Sequence, residues 1–117
     1  MKAGEIMTET DYNTEAQSIA MKIIAYSGSG RTLAFQALEA ARKEDYDQAT
    51  DLLKRSNDEI AKAHDVQTNL LVGEANGDKT PFSILLIHAQ DHFMTSMLAN
   101  ELITEMVHMY KGFERKS

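Results

Sequence analysis

The side chains best suited to chemistry lie in one short run, Ile87-His88-Ala89-Gln90-Asp91-His92. His88 and Asp91 are three apart and His88 and His92 four apart, so on a helix all three project from one sector of a single turn. The surroundings, Leu85, Leu86 and Ile87 before and Phe93 and Met94 after, are apolar. Unpartnered ionisable groups are costly to bury there, which weights the run toward a site. A neutral imidazole, titrating near physiological pH, attacks a phosphoryl group without a separate base and can hold it covalently. His88 is the candidate nucleophile. His92, one turn on, is spaced to donate a hydrogen bond to phosphoryl oxygens. Gln90 offers an amide donor, although a helical wheel sets it well away from His88. Asp91 carries two readings. It fixes a histidine tautomer, or it sits on a subunit axis where several copies converge, tolerable only with a hard cation such as Mg²⁺ or with raised pKa values.

Two rival readings stand beside this one. His88 and His92 serve as satisfied imidazoles in a non-catalytic helical oligomer, or His88, Asp91 and His92 are the ligands of a metal-dependent enzyme. Ala89 occupies the position of the glutamate in H-E-x-x-H, which excludes that hydrolase subtype. His108 falls roughly opposite His88 on the wheel and reads as solvated, and His64 reads as capping or packing. Met94, Met97, Met106 and Met109 at helical spacing read as adaptable core.

The elements that carry these residues are helical. Thr14 with Gln17 fits a capping box, and Ile19, Ile23, Tyr26, Leu33, Ala37 and Ala41 recur at helical spacing, which predicts a first helix over 14–43. Residues 1–13 read as a flexible tail and 14–117 as a single helical domain. Ser27-Gly28-Ser29-Gly30 predicts either a kink or loop splitting that helix, or a close approach of another backbone or a phosphate-sized ligand. Asp45 with Gln48 opens a second helix ending near residues 71–72. Thr80-Pro81 starts a third, with threonine as N-cap, reaching about residue 112. The whole is an all-α, antiparallel up-down-up three-helix bundle. On the third helix Ile84, Ile87, Met94, Leu98, Leu102, Met106 and Met109 make one broad apolar face with further apolar residues around it. Two helices of the same chain cannot cover it, so self-association is expected.

Composition narrows the field. The 117 residues hold 12 Lys+Arg against 18 Asp+Glu, a net charge of −6, with no basic tract to bind nucleic acid or an anionic membrane. There is no cysteine, so disulfides, thiolate metal sites and cysteine nucleophiles are excluded. No long apolar run predicts membrane insertion, and the acidic start lacks a signal-peptide core. The expected location is the cytoplasm.

The segment Leu86-Ile87-His88-Ala89-Gln90-Asp91-His92-Phe93-Met94-Thr95-Ser96-Met97-Leu98 closely resembles the lactose/cellobiose-type enzyme IIA proteins of the bacterial phosphoenolpyruvate-dependent sugar phosphotransferase system. The likeness extends through residues 27–34, Ala63-His64-Asp65-Val66-Gln67-Thr68 and Glu101-Leu102-Ile103-Thr104-Glu105. It implies a three-helix bundle assembled as a homotrimer. It implies that His88 accepts a phosphoryl group on Nε2 from the phosphocarrier protein HPr and passes it to a cysteine of the cognate IIB. It implies that Asp91 binds one Mg²⁺ per trimer at the subunit axis, and His92, within the same motif, keeps a supporting role beside the Gln90 amide that the residue pattern offers. The pathway it implies takes up and phosphorylates a β-linked disaccharide of the cellobiose, lactose or chitobiose class.

Overall fold

The computed structural model describes residues 9–79 and 83–116, and they form three helices: α1 (Glu9–Arg42), α2 (Tyr46–Ala75) and α3 (Ile84–Lys116). Among the described residues there is no strand. α1 starts five residues before the expected Thr14, inside the stretch read as a tail. Thr14 and Gln17 therefore lie within the helix and cap nothing. The sequence between residues 5 and 27 contains neither glycine nor proline, so nothing in it stops a helix from extending past a motif that merely permits a start.

The Ser27-Gly28-Ser29-Gly30 segment does not split α1. Each glycine costs up to about 1 kcal/mol against alanine in a helix, and here tertiary contact overrides that preference. A Cβ added at Gly30 would lie 2.7 Å from Ile60 Cδ1 and 3.3 Å from the Ser56 carbonyl oxygen. The bare backbone thus lets α2 come close, the alternative reading of the segment. Through the opening, the buried Ser56 hydroxyl donates to the Gly30 carbonyl at 2.6 Å and accepts from Asn100 Nδ2 at 2.8 Å. One buried polar chain thereby joins all three helices.

Both described connections use the same stop signal. At the end of α1 the Asp45 amide donates to the Ala40 carbonyl at 2.9 Å and the Glu44 amide to Ala41 at 3.0 Å, with Glu44 at φ 63°. That pattern is a Schellman motif. Asp45 immediately opens α2, its side chain accepting from the Gln48 amide at 3.2 Å as the sequence predicts. α2 runs past the expected residues 71–72 to Ala75, where Gly77 at φ 97° and the bond from the Asp78 amide to the Gly73 carbonyl, 2.9 Å, repeat the motif. The predicted cap and proline of the third helix, Thr80-Pro81, lie outside the described residues. The cap seen is Ser83, whose hydroxyl accepts from the Leu86 amide at 3.1 Å. α3 continues past residue 112 to Lys116, because one glycine at 112 with open space around it lowers helix stability without ending the helix.

The interior is built mainly of alanine. Ala34, Ala37, Ala41 and Ala49 are fully buried with Val107 around Ile103, Leu52 and Leu53. Toward the other end Ala20, Ala63 and Ala89 surround Ile23, Phe93 and Ile60. Such small side chains let helices approach closely and leave much of the large apolar mass outside.

Candidate functional site

On α3 the buried positions are Ala89, Phe93, Ser96, Asn100, Ile103 and Val107, alternating by four and three as one core-facing stripe. His88 and His92 each precede a member of it by one residue and so stand at its edge, roughly 100° around the helix. Ala89 and Phe93, which is 1% exposed, anchor this turn into the bundle and fix where the histidines point. His88 is exposed and His92 half-buried. Their rings stack, with centroids 6.0 Å apart and planes inclined by 19°. α1 packs against this pair: a Cβ at Gly28 would lie 3.4 Å from His92 Nε2. The adjacent Ser27 and, one turn beyond His92, Ser96 are fully buried.

The remaining candidates diverge from the pair. Gln90 turns toward α2, where its side-chain oxygen accepts from Gln67 Nε2. Asp91 points away from the core and is exposed. No hydrogen bond or ion pair joins it to either imidazole among the described residues, so it does not hold a histidine tautomer there. Instead it falls within a row of outward apolar side chains on α3: Ile84, Ile87, Met94, Leu98, Leu102, Met106, Met109 and Phe113. Leu98 and Leu102, at 53% and 50% exposure, belong to the face that the sequence reading found too apolar for two neighbours to cover. The methionines of this row, read as core, lie at the surface of the chain.

His88, Asp91 and His92 are thus not gathered into one ligand set: among the described residues no three His, Cys, Asp or Glu side chains are grouped to hold a metal ion. His64 packs its ring against Phe93, centroids 6.1 Å apart, the packing role expected of it. His108 is exposed, with Nδ1 4.0 Å from Glu105 Oε2. Sequence reasoning did not single out Gln67 or Phe93 as positioning residues. In the sequence Gln67 is only a polar residue at helical spacing from His64, and its partner Gln90 is revealed once α2 and α3 are in register. Among the described residues no helix is long and apolar enough to cross a membrane.

Comparison with known proteins agrees with this geometry. The sequence model of the family described as "PTS system, Lactose/Cellobiose specific IIA subunit" matches residues 18–111, which include α2 whole and the histidine turn. The lactose-specific EIIA component of Staphylococcus epidermidis is 41% identical over 97 residues, covering 83% of this chain and 93% of that protein. The crystal structure of the cellobiose-specific enzyme IIA from Bacillus anthracis superposes with a TM-score of 0.84 at 37% identity, covering 96% of this chain and 97% of that one. The IIA(Chitobiose) of Escherichia coli, solved in solution as a complex with HPr, matches with a TM-score of 0.72 at 38% identity over 85% of this chain and 96% of that one. With a family match spanning most of its length and a paired-histidine turn on a three-helix frame, the chain belongs to the lactose/cellobiose-specific IIA subunits of the phosphotransferase system.

Proposed function

We propose that the protein is a cytoplasmic phosphoryl carrier in which His88 accepts phosphate from phospho-HPr and hands it to a cysteine of the cognate IIB. The observation that carries this reading is the exposed His88 imidazole stacked on His92 at the edge of a rigid, core-anchored turn. A relay needs a nucleophile that two proteins reach in succession, and an exposed ring on a convex helix meets that need better than a pocket does. In the first step a neutral His88 nitrogen, Nε2 by family resemblance, attacks phosphorus as the donor's P–N bond breaks and its imidazole leaves. In the second, the thiolate of IIB attacks the same phosphorus and the His88 P–N bond breaks. His92 is the supporting hydrogen-bond donor to the phosphoryl oxygens. Gln90, which accepts from Gln67 through its oxygen, retains an amide donor on the α2 side. The sugar pathway served is of the β-linked disaccharide class, which includes the lactose and chitobiose relatives.

The proposed assembly is a homotrimer of up-down-up bundles. Its support is twofold. Contacts between α2 and α3 run in opposite order, Thr50 with Lys111, Ser56 with Asn100 and Gln67 with Gln90. The outward apolar row extends along α3 from Ile84 to Phe113. Asp91 is the acidic member of that row, and its copies would converge on a common axis. Carboxylate oxygens suit a hard cation, so Asp91 fits Mg²⁺, one per trimer, whose contribution is to neutralise like charges at the interface.

Intact-mass measurement after incubation with phosphoenolpyruvate, enzyme I and HPr tests the relay. The expected result is one phosphoryl adduct on the wild type, labile in acid and stable in base, and none on His88→Gln. A wild type that stays unmodified while HPr is phosphorylated overturns it.

A further inference from the structure

A glycine inside a helix is a loss unless a neighbour needs the missing side chain. Gly28 has no backbone requirement of its own, since α1 is continuous there and Gly77 is the glycine with positive φ among the described residues. Its neighbour is also not that of Gly30, which meets Ile60 and Ser56 on α2. Where the Gly28 side chain would stand, the nearest atom is Nε2 of His92, 3.4 Å from an added Cβ.

We infer that Gly28 is a positioning residue for the phosphoryl acceptor, leaving the Nε2 edge of His92 uncovered on the α1 side so that its N–H can turn to an oxygen of the group carried by His88. This rests on the phosphohistidine reading above. The two rings lie 6.0 Å apart and nearly parallel, so His92 reaches a group on His88 by pivoting and not by sliding. A hydrogen bond from that nitrogen to a phosphoryl oxygen is charge-assisted and depends on alignment. A methyl group at position 28 meets Nε2 at van der Waals contact. It leaves the backbone undisturbed and narrows the pivot.

The test is the Gly28→Ala variant, read three ways. Alanine replaces a poor helix former where space allows it, so the melting temperature rises. Phosphorylation by phospho-HPr slows by about tenfold, the scale of one weakened charge-assisted hydrogen bond. In ¹⁵N NMR, the ring-nitrogen signals of His92 shift on phosphorylation of the wild type and shift less in the variant. In a His92→Gln background the same alanine produces no further slowing, as expected if Gly28 acts through His92. Gly28→Ser serves as a second small replacement should the alanine variant not fold. Normal phosphorylation with an unchanged His92 shift, or equal slowing in both backgrounds, overturns the inference while leaving the relay intact. A wild type that takes up no phosphate overturns both.

Discussion

At the scale of single residues, the buried chain from Asn100 through Ser56 to the Gly30 carbonyl does what apolar packing between alanines cannot: it fixes how the three helices are set against one another. Ser56 both donates and accepts within it, so Ser56→Ala takes the acceptor from the buried Asn100 amide and leaves the Gly30 carbonyl with its helical bond alone. Urea denaturation is expected to show a loss of about 1–3 kcal/mol. Gly30→Ala improves local helix preference yet drives a methyl to 2.7 Å from Ile60 Cδ1. It is expected to destabilise by about 1–3 kcal/mol, and combined with Ile60→Ala to lose less than the sum of the two single losses. His88 and His92 were legible in the sequence because their spacing alone places them on one turn. The function of the two glycines was not, since a helix-breaking preference and a close-packing requirement look identical until the neighbouring helix is present.

Among the elements, the α1–α2 connection compresses a stop and a start into adjacent residues. Glu44 takes the left-handed position of the Schellman motif at φ 63°, where the equivalent position after α2 is Gly77. Glu44→Gly relieves that conformation, and an increase of about 1 kcal/mol in unfolding free energy is expected by chemical denaturation. Asp45→Ala removes the cap on Gln48 and is expected to cost about 1 kcal/mol in the same assay. The N-cap at Asp45 was readable because the residues before it, Arg42-Lys43-Glu44, cannot continue an apolar stripe, although the Asp45 amide bonds the Ala40 carbonyl and not the Gln48 side chain of a full capping box. The one at Thr14 misled, since a capping sequence only marks a permitted start, and helical chain upstream outcompetes it. Ser83 is hard to read as a cap from sequence, because the threonine-proline pair just before it matches the usual N-terminal pattern more strongly.

The described chain measures 65 × 22 × 21 Å with a radius of gyration of 18.3 Å, against about 13 Å for a compact domain of this length. So slender a bundle has little interior, which is why many large apolar side chains are exposed, most of them on the outside of α3. On the proposed assembly the wild type is expected to sediment as a trimer in analytical ultracentrifugation, and Leu98→Asp in that row to give a monomer at the same concentration. Asp91→Leu is expected to leave phosphate uptake at His88 largely intact while altering trimer stability, read by thermal unfolding with and without Mg²⁺. An equally stable trimer that accepts no phosphate reverses the roles assigned to the two residues. The overreach of apolar residues around the third helix was visible in the sequence. Which of them face the core was not, because Phe93 and Met94 differ only in which side of a cylinder the neighbours occupy.

The alanine interior also bears on how the protein responds to heat. Alanine loses no rotamer freedom on burial and removes little apolar surface from water, so an isolated chain gains and surrenders little hydration when it folds or melts. The heat-capacity increase on unfolding follows the apolar surface newly exposed to water, and most of the exposed large apolar side chains lie on α3. Calorimetric scans of the assembled protein should therefore show a midpoint that climbs with protein concentration, and a heat-capacity step larger than that of a Leu98→Asp monomer of the same length.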